Sequence, residues 1–167
     1  MNLRRGEASP RVHPVGGPSG SLQNFISGYG ITSSSQLIEL SKELNINLKF
    51  IGLTKDLQAM NPITNGSYII NIGDGSGTHW TCLYIKNQEG FYYDSYAVAP
   101  ENDLIDILNT NSKVTKIIYN NDFQFQGLEE QLCGIYCLMF LYHMTNSKKK
   151  SLVDGFNDFA KSFKDLD

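Results

Sequence analysis

Three side chains in this sequence could together carry out acyl-transfer chemistry: His79, Asp94 and Cys133. A cysteine nucleophile must be a thiolate, and an adjacent imidazole can serve first as general base and then as general acid. A carboxylate that accepts a hydrogen bond from the imidazole fixes the orientation of the ring. Each of the three residues lies where a predicted helix or strand meets a glycine-rich or polar loop. The combination therefore favours a cysteine nucleophile activated by histidine.

Cys133 lies at the boundary between two segments of different composition. Residues 120–131 are polar and rich in glutamine, whereas residues 133–142 are continuously apolar. This change predicts that Cys133 begins a buried helix, whose N-terminal N–H groups and dipole favour a negatively charged group. Gly134 has no side chain, so a substrate backbone can approach the sulfur closely.

His79 and Asp94 lie on two strands that the sequence predicts to form a hairpin. The strands cover residues 78–85 and 90–95, and a turn at 87–90 joins them. Antiparallel pairing brings the start of one strand beside the end of the next. We therefore expect Asp94 to reach the ring of His79.

The rest of the pattern predicts an α+β domain with a mostly antiparallel or mixed sheet. The first predicted helix follows a serine cap at 33–35, and the second runs from Pro100 through Leu108. The other predicted elements are strands at 48–52, 67–72 and 114–119, and an amphipathic helix at 152–166.

Composition narrows the class of protein. The 167 residues are 41% hydrophobic and 19% charged, with 14 Lys+Arg against 17 Asp+Glu and a net charge of −3. These values are typical of a folded soluble domain and argue against a dedicated nucleic-acid binder. No apolar run reaches the roughly 18–20 residues that cross a bilayer. The cysteines at 82, 133 and 137 do not indicate a disulfide framework, and they favour a reducing compartment.

The chain is predicted to contain one folded unit behind a tail. Residues 1–21 are rich in glycine and proline and have no apolar periodicity, which predicts a flexible N-terminal tail. Residues 22–167 are predicted to form a single domain.

Simpler interpretations exist for each candidate residue. A single strand histidine is more often structural, an aspartate after a strand is usually a turn residue, and a cysteine in an apolar helix is usually a core residue. The core interpretation suits Cys82 and Cys137. His79, Cys82, Cys133 and Cys137 could also be zinc ligands, but their spacing is unlike that of loop-borne zinc sites. We expect neither a metal nor another cofactor.

As a set, the motifs resemble those of the adenovirus-type maturation cysteine proteases (the adenain family), especially members from virophages and Polinton-like elements. The wider group includes the SUMO-deconjugating cysteine proteases. The matching phrases occur in the family's order and are His79-Trp80, Tyr93-Asp94-Ser95-Tyr96, Gln126-Gly127 and Cys133-Gly134-Ile135-Tyr136-Cys137. The resemblance implies a papain-like core in which helices flank a central mixed sheet.

The resemblance also implies roles for two further side chains. Gln126, seven residues before Cys133, would donate its amide to the oxyanion of the tetrahedral intermediate. Gln124 and Gln131 are rivals for that role. Trp80 follows the catalytic histidine in the family and packs against the site. Ala97 departs from the pattern, because relatives often have glycine there.

The function implied is that of a cysteine endopeptidase that cleaves viral structural (capsid) precursor proteins during virion maturation. Its partners would be capsid precursor polypeptides, and it would act as a monomer, without a membrane, in the virion and the infected host cell (virus factory or nucleus). The adenovirus enzyme is activated by a peptide and by DNA, and no residue here allows either activator to be carried over.

Three other functions stay open. A protease that removes a ubiquitin-like modifier would use the same machinery on a different substrate. A chymotrypsin-like viral cysteine protease has the same residue order but a mainly β fold. An inactive interaction module could retain the motifs without activity.

Overall fold

A mixed β-sheet with helices on both faces is the architecture of the computed structural model, which describes residues 2–3, 33–73, 79–121 and 132–164. The strands follow the order β1-β6-β5-β4-β3-β2 across the sheet. This arrangement confirms the predicted α+β class. The strands are β1 (Asn2–Leu3), β2 (Leu48–Leu53), β3 (Gly66–Asn71), β4 (Trp80–Lys86), β5 (Glu89–Tyr93) and β6 (Lys116–Asn120).

The helices agree with the predicted ones to within a few residues. They are α1 (Ser34–Glu43), α2 (Asn102–Asn111), α3 (Cys133–Asn146) and α4 (Leu152–Lys164), with a 3-10 helix at Thr54–Ala59. The predicted cap of α1 is confirmed, because Ser33 Oγ accepts from the Gln36 N–H and Gln36 Oε1 accepts from the Ser33 N–H. The prediction that Pro100 opens the second helix is wrong: α2 begins at Asn102, after Glu101.

Strand pairing places several strand ends at one edge of the sheet. β4 is antiparallel to both β3 and β5, and the predicted β4–β5 hairpin is confirmed. Its turn residues Asn87 and Gln88 have positive φ, as a tight two-residue hairpin requires. β5 and β6 are parallel because α2 crosses between them. The start of β4 and the ends of β5 and β6 therefore share an edge.

Alternate strand residues supply two separate cores. Ile69, Cys82 and Tyr93 belong to the core under α1, α3 and α4. Tyr68, Leu83 and Tyr92 belong to the core under α2 and the 3-10 helix. Burial of one large apolar side chain contributes about 1.5–3 kcal/mol, so both faces hold the sheet in place.

An aromatic stack joins the strand before Asp94 to the helix that begins with Cys133. The rings of Tyr93 in β5 and Phe140 in α3 lie 4.8 Å apart and nearly parallel, at 6°. Phe156 and Phe159 of α4 pack against both rings. Because α3 is covered by β4, α1 and α4, its residues from Cys133 to Leu141 are all buried. This buried helix after the cysteine contradicts the mainly β alternative.

Most of the predicted tail lies outside the described residues. The exceptions are Asn2 and Leu3, whose backbones pair in parallel with Tyr119 and Asn120. The predicted domain boundary at residue 22 also lies outside the described residues. Among the helices that the structure describes, none has the length and apolar character to cross a membrane.

Candidate active site

The structure brings His79 and Asp94 into direct contact at the shared sheet edge. His79 immediately precedes β4, where its carbonyl accepts from the Ile72 N–H at 2.9 Å. Asp94 immediately follows β5 and is 1% exposed. His79 Nε2 lies 2.8 Å from Asp94 Oδ1. The hairpin thus holds the imidazole against a buried carboxylate, while 21% of the histidine side chain stays exposed.

Cys133 completes the cluster from the opposite layer. It is the first residue of α3 and is 8% exposed. Its Sγ accepts a hydrogen bond from the backbone N–H of Trp80 at 3.3 Å, and the sulfur also interacts with the His79 ring. Leu132 makes no side-chain cap, so no side chain of that residue competes for the first N–H groups of the helix. A negative charge on the sulfur or on a bound substrate would be favoured there.

The surroundings of His79 favour the protonated form of its ring. Burial by itself lowers the pKa of His79, but hydrogen bonds and charges from Asp94 and Cys133 outweigh it and raise the pKa from 6.5 to about 9. Because Nε2 faces Asp94, Nδ1 is the nitrogen left to exchange a proton with a thiol or a substrate. The arrangement is suited to a thiolate beside an imidazolium.

The other two cysteines fix the position of α3 on β4. Cys137 Sγ donates to the Trp80 carbonyl at 3.4 Å, and Cys82 Sγ donates to the Cys137 carbonyl at 3.8 Å. Both are fully buried, and burial raises the pKa of both thiols. Their core interpretation is therefore confirmed. The described residues contain no cluster of three or more side chains that could hold a metal ion, so the structure gives the zinc alternative no support.

Of the remaining predicted site residues, Trp80 and Gly134 are described by the structure and Gln126 is not. Trp80 is 5% exposed. Its backbone N–H donates to Cys133 Sγ, and its carbonyl accepts from Cys137 Sγ. Gly134 is buried in the first turn of α3. Gln126 lies outside the described residues, as do its rivals Gln124 and Gln131.

Two residues at the site were not singled out from the sequence. The Tyr96 ring stacks on the His79 ring at 4.8 Å, and the Tyr96 N–H donates to Asp94 Oδ1 at 2.8 Å. The Asn120 side chain binds the backbone of Asp94. The sequence held a signal for Asn120, because a strand-helix-strand pattern predicts parallel strands whose ends meet at one edge.

A turn closes directly after Asp94. The Ala97 N–H donates to the Asp94 carbonyl at 2.8 Å, and Ala97 has a φ of 61°, in the left-handed region. Glycine adopts that conformation without steric cost. The turn therefore gives a physical reason for the glycine often found at this position in the family that the motifs resemble.

Comparisons with known proteins supply no second line of argument. No protein-family model matches the chain, and no curated protein is similar enough to count as a relative.

A surface cavity of about 660 Å³ lies near the β4–β5 turn, lined by Lys49, Ile63 and Gln88 among others. It is at the opposite end of β4 from His79, and its lining contains none of the residues of the cluster.

Proposed function

We propose that this chain is a cysteine endopeptidase with Cys133 as nucleophile, His79 as general base and acid, and Asp94 as the carboxylate that orients the ring. The observation that carries the proposal is the 2.8 Å contact between His79 Nε2 and Asp94 Oδ1 beside a cysteine at a helix N-terminus. This geometry supports the roles proposed for the three residues.

The reaction divides into two balanced steps. The Cys133 thiolate attacks the substrate carbonyl carbon, and a tetrahedral oxyanion forms. The oxyanion collapses as the amide C–N bond breaks, and the His79 imidazolium gives its proton to the leaving nitrogen, which leaves a thioester. Neutral His79 then takes a proton from water as the oxygen attacks the thioester. The C–S bond breaks, the acid product leaves, and the thiolate and imidazolium are restored.

Two kinds of donor would stabilise the oxyanion. Backbone N–H groups at the start of α3 point toward the sulfur end of the helix, where partial positive charge accumulates. The Gln126 amide would be the second donor, as the resemblance to the adenain family implies. Gly134 leaves room for the substrate backbone beside the sulfur.

The substrate class follows from the motif set. Because His79-Trp80, Asp94-Ser95, Gln126-Gly127 and Cys133-Gly134 match the adenain pattern in order, we infer a papain-like core and cleavage of viral capsid precursor polypeptides during virion maturation. The enzyme would act as a monomer in the virion and the infected cell, with no cofactor in the chemical step.

The first test is selective alkylation of the native protein, read by intact mass and peptide mapping. At about pH 6 an ordinary thiol is less than about 1% thiolate, so limiting iodoacetamide should modify Cys133 and spare Cys82 and Cys137, which serve as internal controls. His79→Ala should slow the modification strongly. His143→Ala is the matched control, because His143 lies on α3 about 15 Å from Cys133 along the helix axis. Equal labelling rates of Cys133 in the native chain and in His79→Ala would show that Cys133 is not activated.

A second test addresses the substrate. Incubation with capsid precursor segments should give cleavage that Cys133→Ala abolishes. Cleavage that survives in Cys133→Ala would remove Cys133 from the mechanism. A ubiquitin-like probe with a C-terminal electrophile separates the alternatives, since rapid labelling would favour deconjugation of a modifier. Selective alkylation without cleavage of either substrate would contradict the endopeptidase proposal.

A further inference from the structure

One side chain binds both backbone polar groups of Asp94. Asn120, the last residue of β6, is fully buried. Its Oδ1 accepts from the Asp94 N–H at 3.1 Å, and its Nδ2 donates to the Asp94 carbonyl at 2.7 Å. A side-chain amide carries the same donor and acceptor as a peptide group, so it can substitute for a strand partner.

Asp94 needs such a partner because the strand pairing ends before it. The β5–β6 ladder ends with the pair Tyr92 and Tyr119, and β5 itself ends at Tyr93. A buried N–H without a partner is costly, and Asn120 Oδ1 is the acceptor for the Asp94 N–H. The Asp94 carbonyl accepts from Asn120 Nδ2 and also from the Ala97 N–H. Asn120 thus extends the parallel pairing by side-chain contacts to the residue that touches His79.

The carboxylate of Asp94 is held unevenly. Oδ1 contacts both His79 Nε2 and the Tyr96 N–H, each at 2.8 Å. Oδ2 is buried and has no hydrogen-bond partner among the described residues. A shift of the backbone would therefore move the carboxylate oxygen that contacts the imidazole.

We propose that Asn120 is a positioning residue of this site: it fixes the backbone of Asp94, and through Oδ1 it fixes the ring of His79. Its kinetic consequence rests on the proposed peptidase function, but its effect on the His79–Asp94 pair does not. Both side-chain hydrogen bonds of Asn120 go to the backbone of Asp94, so its effect passes through Asp94.

The direct test is the NMR titration of the His79 ring in the full chain. Asn120→Leu keeps similar volume and removes both hydrogen bonds, and we expect the pKa of His79 to fall from about 9 toward 6.5. Asn146→Ala is the matched control, because Asn146 also donates to a backbone carbonyl, that of Tyr142, but lies at the far end of α3. A wild-type pKa of His79 in folded Asn120→Leu would overturn the proposal. If that variant does not fold, Asn120→Ser is judged by the same criterion.

A double-mutant cycle tests the route of the effect. Asn120→Leu should slow alkylation of Cys133 roughly 10- to 100-fold, as displacement of a catalytic group does. Added to Asp94→Asn, it should slow the reaction no further, because the group through which it acts is already lost. Additive effects would overturn the proposal and leave a role in stability only. If Cys133 proves unreactive while the pKa of His79 still responds to Asn120→Leu, the peptidase proposal fails and the positioning role stands.

Discussion

At the residue scale, the decisive feature is a histidine that lies between two groups able to carry negative charge. Asp94 contacts Nε2, and Cys133 interacts with the same ring. Burial would favour the neutral imidazole, but the two partners outweigh it. The protonated ring is therefore favoured, and that is the form that the proposed mechanism requires of a general acid.

The raised pKa of His79 makes stability depend on pH. A proton bound more tightly in the folded state stabilises the fold fully below the unfolded pKa of 6.5, and this contribution is lost as pH rises through about 9. We expect the free energy of unfolding to fall across that range in the native chain and to fall less in Asp94→Asn. Denaturant unfolding at several pH values measures this. Equal pH dependence in the two proteins would contradict the charge interaction.

Ala97 offers a stabilising substitution. Its left-handed conformation costs an alanine roughly 1–2 kcal/mol, whereas glycine avoids that cost but loses more chain entropy on folding. We therefore expect Ala97→Gly to raise the free energy of unfolding by up to about 1 kcal/mol, with Cys133 labelling unchanged. Denaturant melts measure the change. The neighbouring Val98→Gly, at an exposed position, serves as the control that should not stabilise.

At the element scale, the site depends on how α3 is held against the sheet. The Tyr93–Phe140 stack joins β5 to α3. The backbone N–H of Trp80 donates to Cys133 Sγ, and the Trp80 carbonyl accepts from Cys137 Sγ. These contacts connect the strand before Asp94, the strand after His79 and the helix that begins with Cys133. The geometry of the three side chains is thus a property of the packed elements.

Removal of the stack should be costly. Phe140 is fully buried, so Phe140→Ala should lower the free energy of unfolding by about 3–5 kcal/mol. The control Val98→Ala, at a position that is 56% exposed, should change it by less than about 0.5 kcal/mol. Thermal or denaturant unfolding gives both numbers. A small effect at Phe140 would mean that the aromatic cluster contributes little to the docking of α3.

The sequence predicts most elements because their signals are local. The Ser33 cap, the β4–β5 hairpin and the apolar run after Cys133 are each encoded within a few neighbouring residues. Asn120 was missed because its role depends on parallel pairing with a strand some 25 residues earlier. The 3-10 helix at Thr54–Ala59 was missed because this short, mostly polar segment shows no periodic spacing of apolar residues.

At the scale of the whole molecule, two buried cysteines report on global unfolding. Cys82 and Cys137 are completely inaccessible in the described structure, between the sheet and α3. We expect them to react with an alkylating agent only when the domain opens, so their labelling rate should follow the global free energy of unfolding. Labelling measured against denaturant concentration, beside circular dichroism, tests this. Labelling that ignores denaturant would reveal local opening of the core instead.

The contact between Trp80 and Cys133 makes tryptophan fluorescence a possible reporter of the state of the cysteine. Trp80 is the only tryptophan in the chain, it is almost completely buried, and its backbone N–H donates to the Cys133 sulfur. Ionisation, alkylation or acylation of that sulfur would change the charge and polarisability next to the backbone of the one residue that carries an indole fluorophore. We therefore expect the intrinsic emission of the unlabelled protein to respond to the covalent state of Cys133, and a thioester formed in the proposed reaction would appear as a rise and decay of the signal.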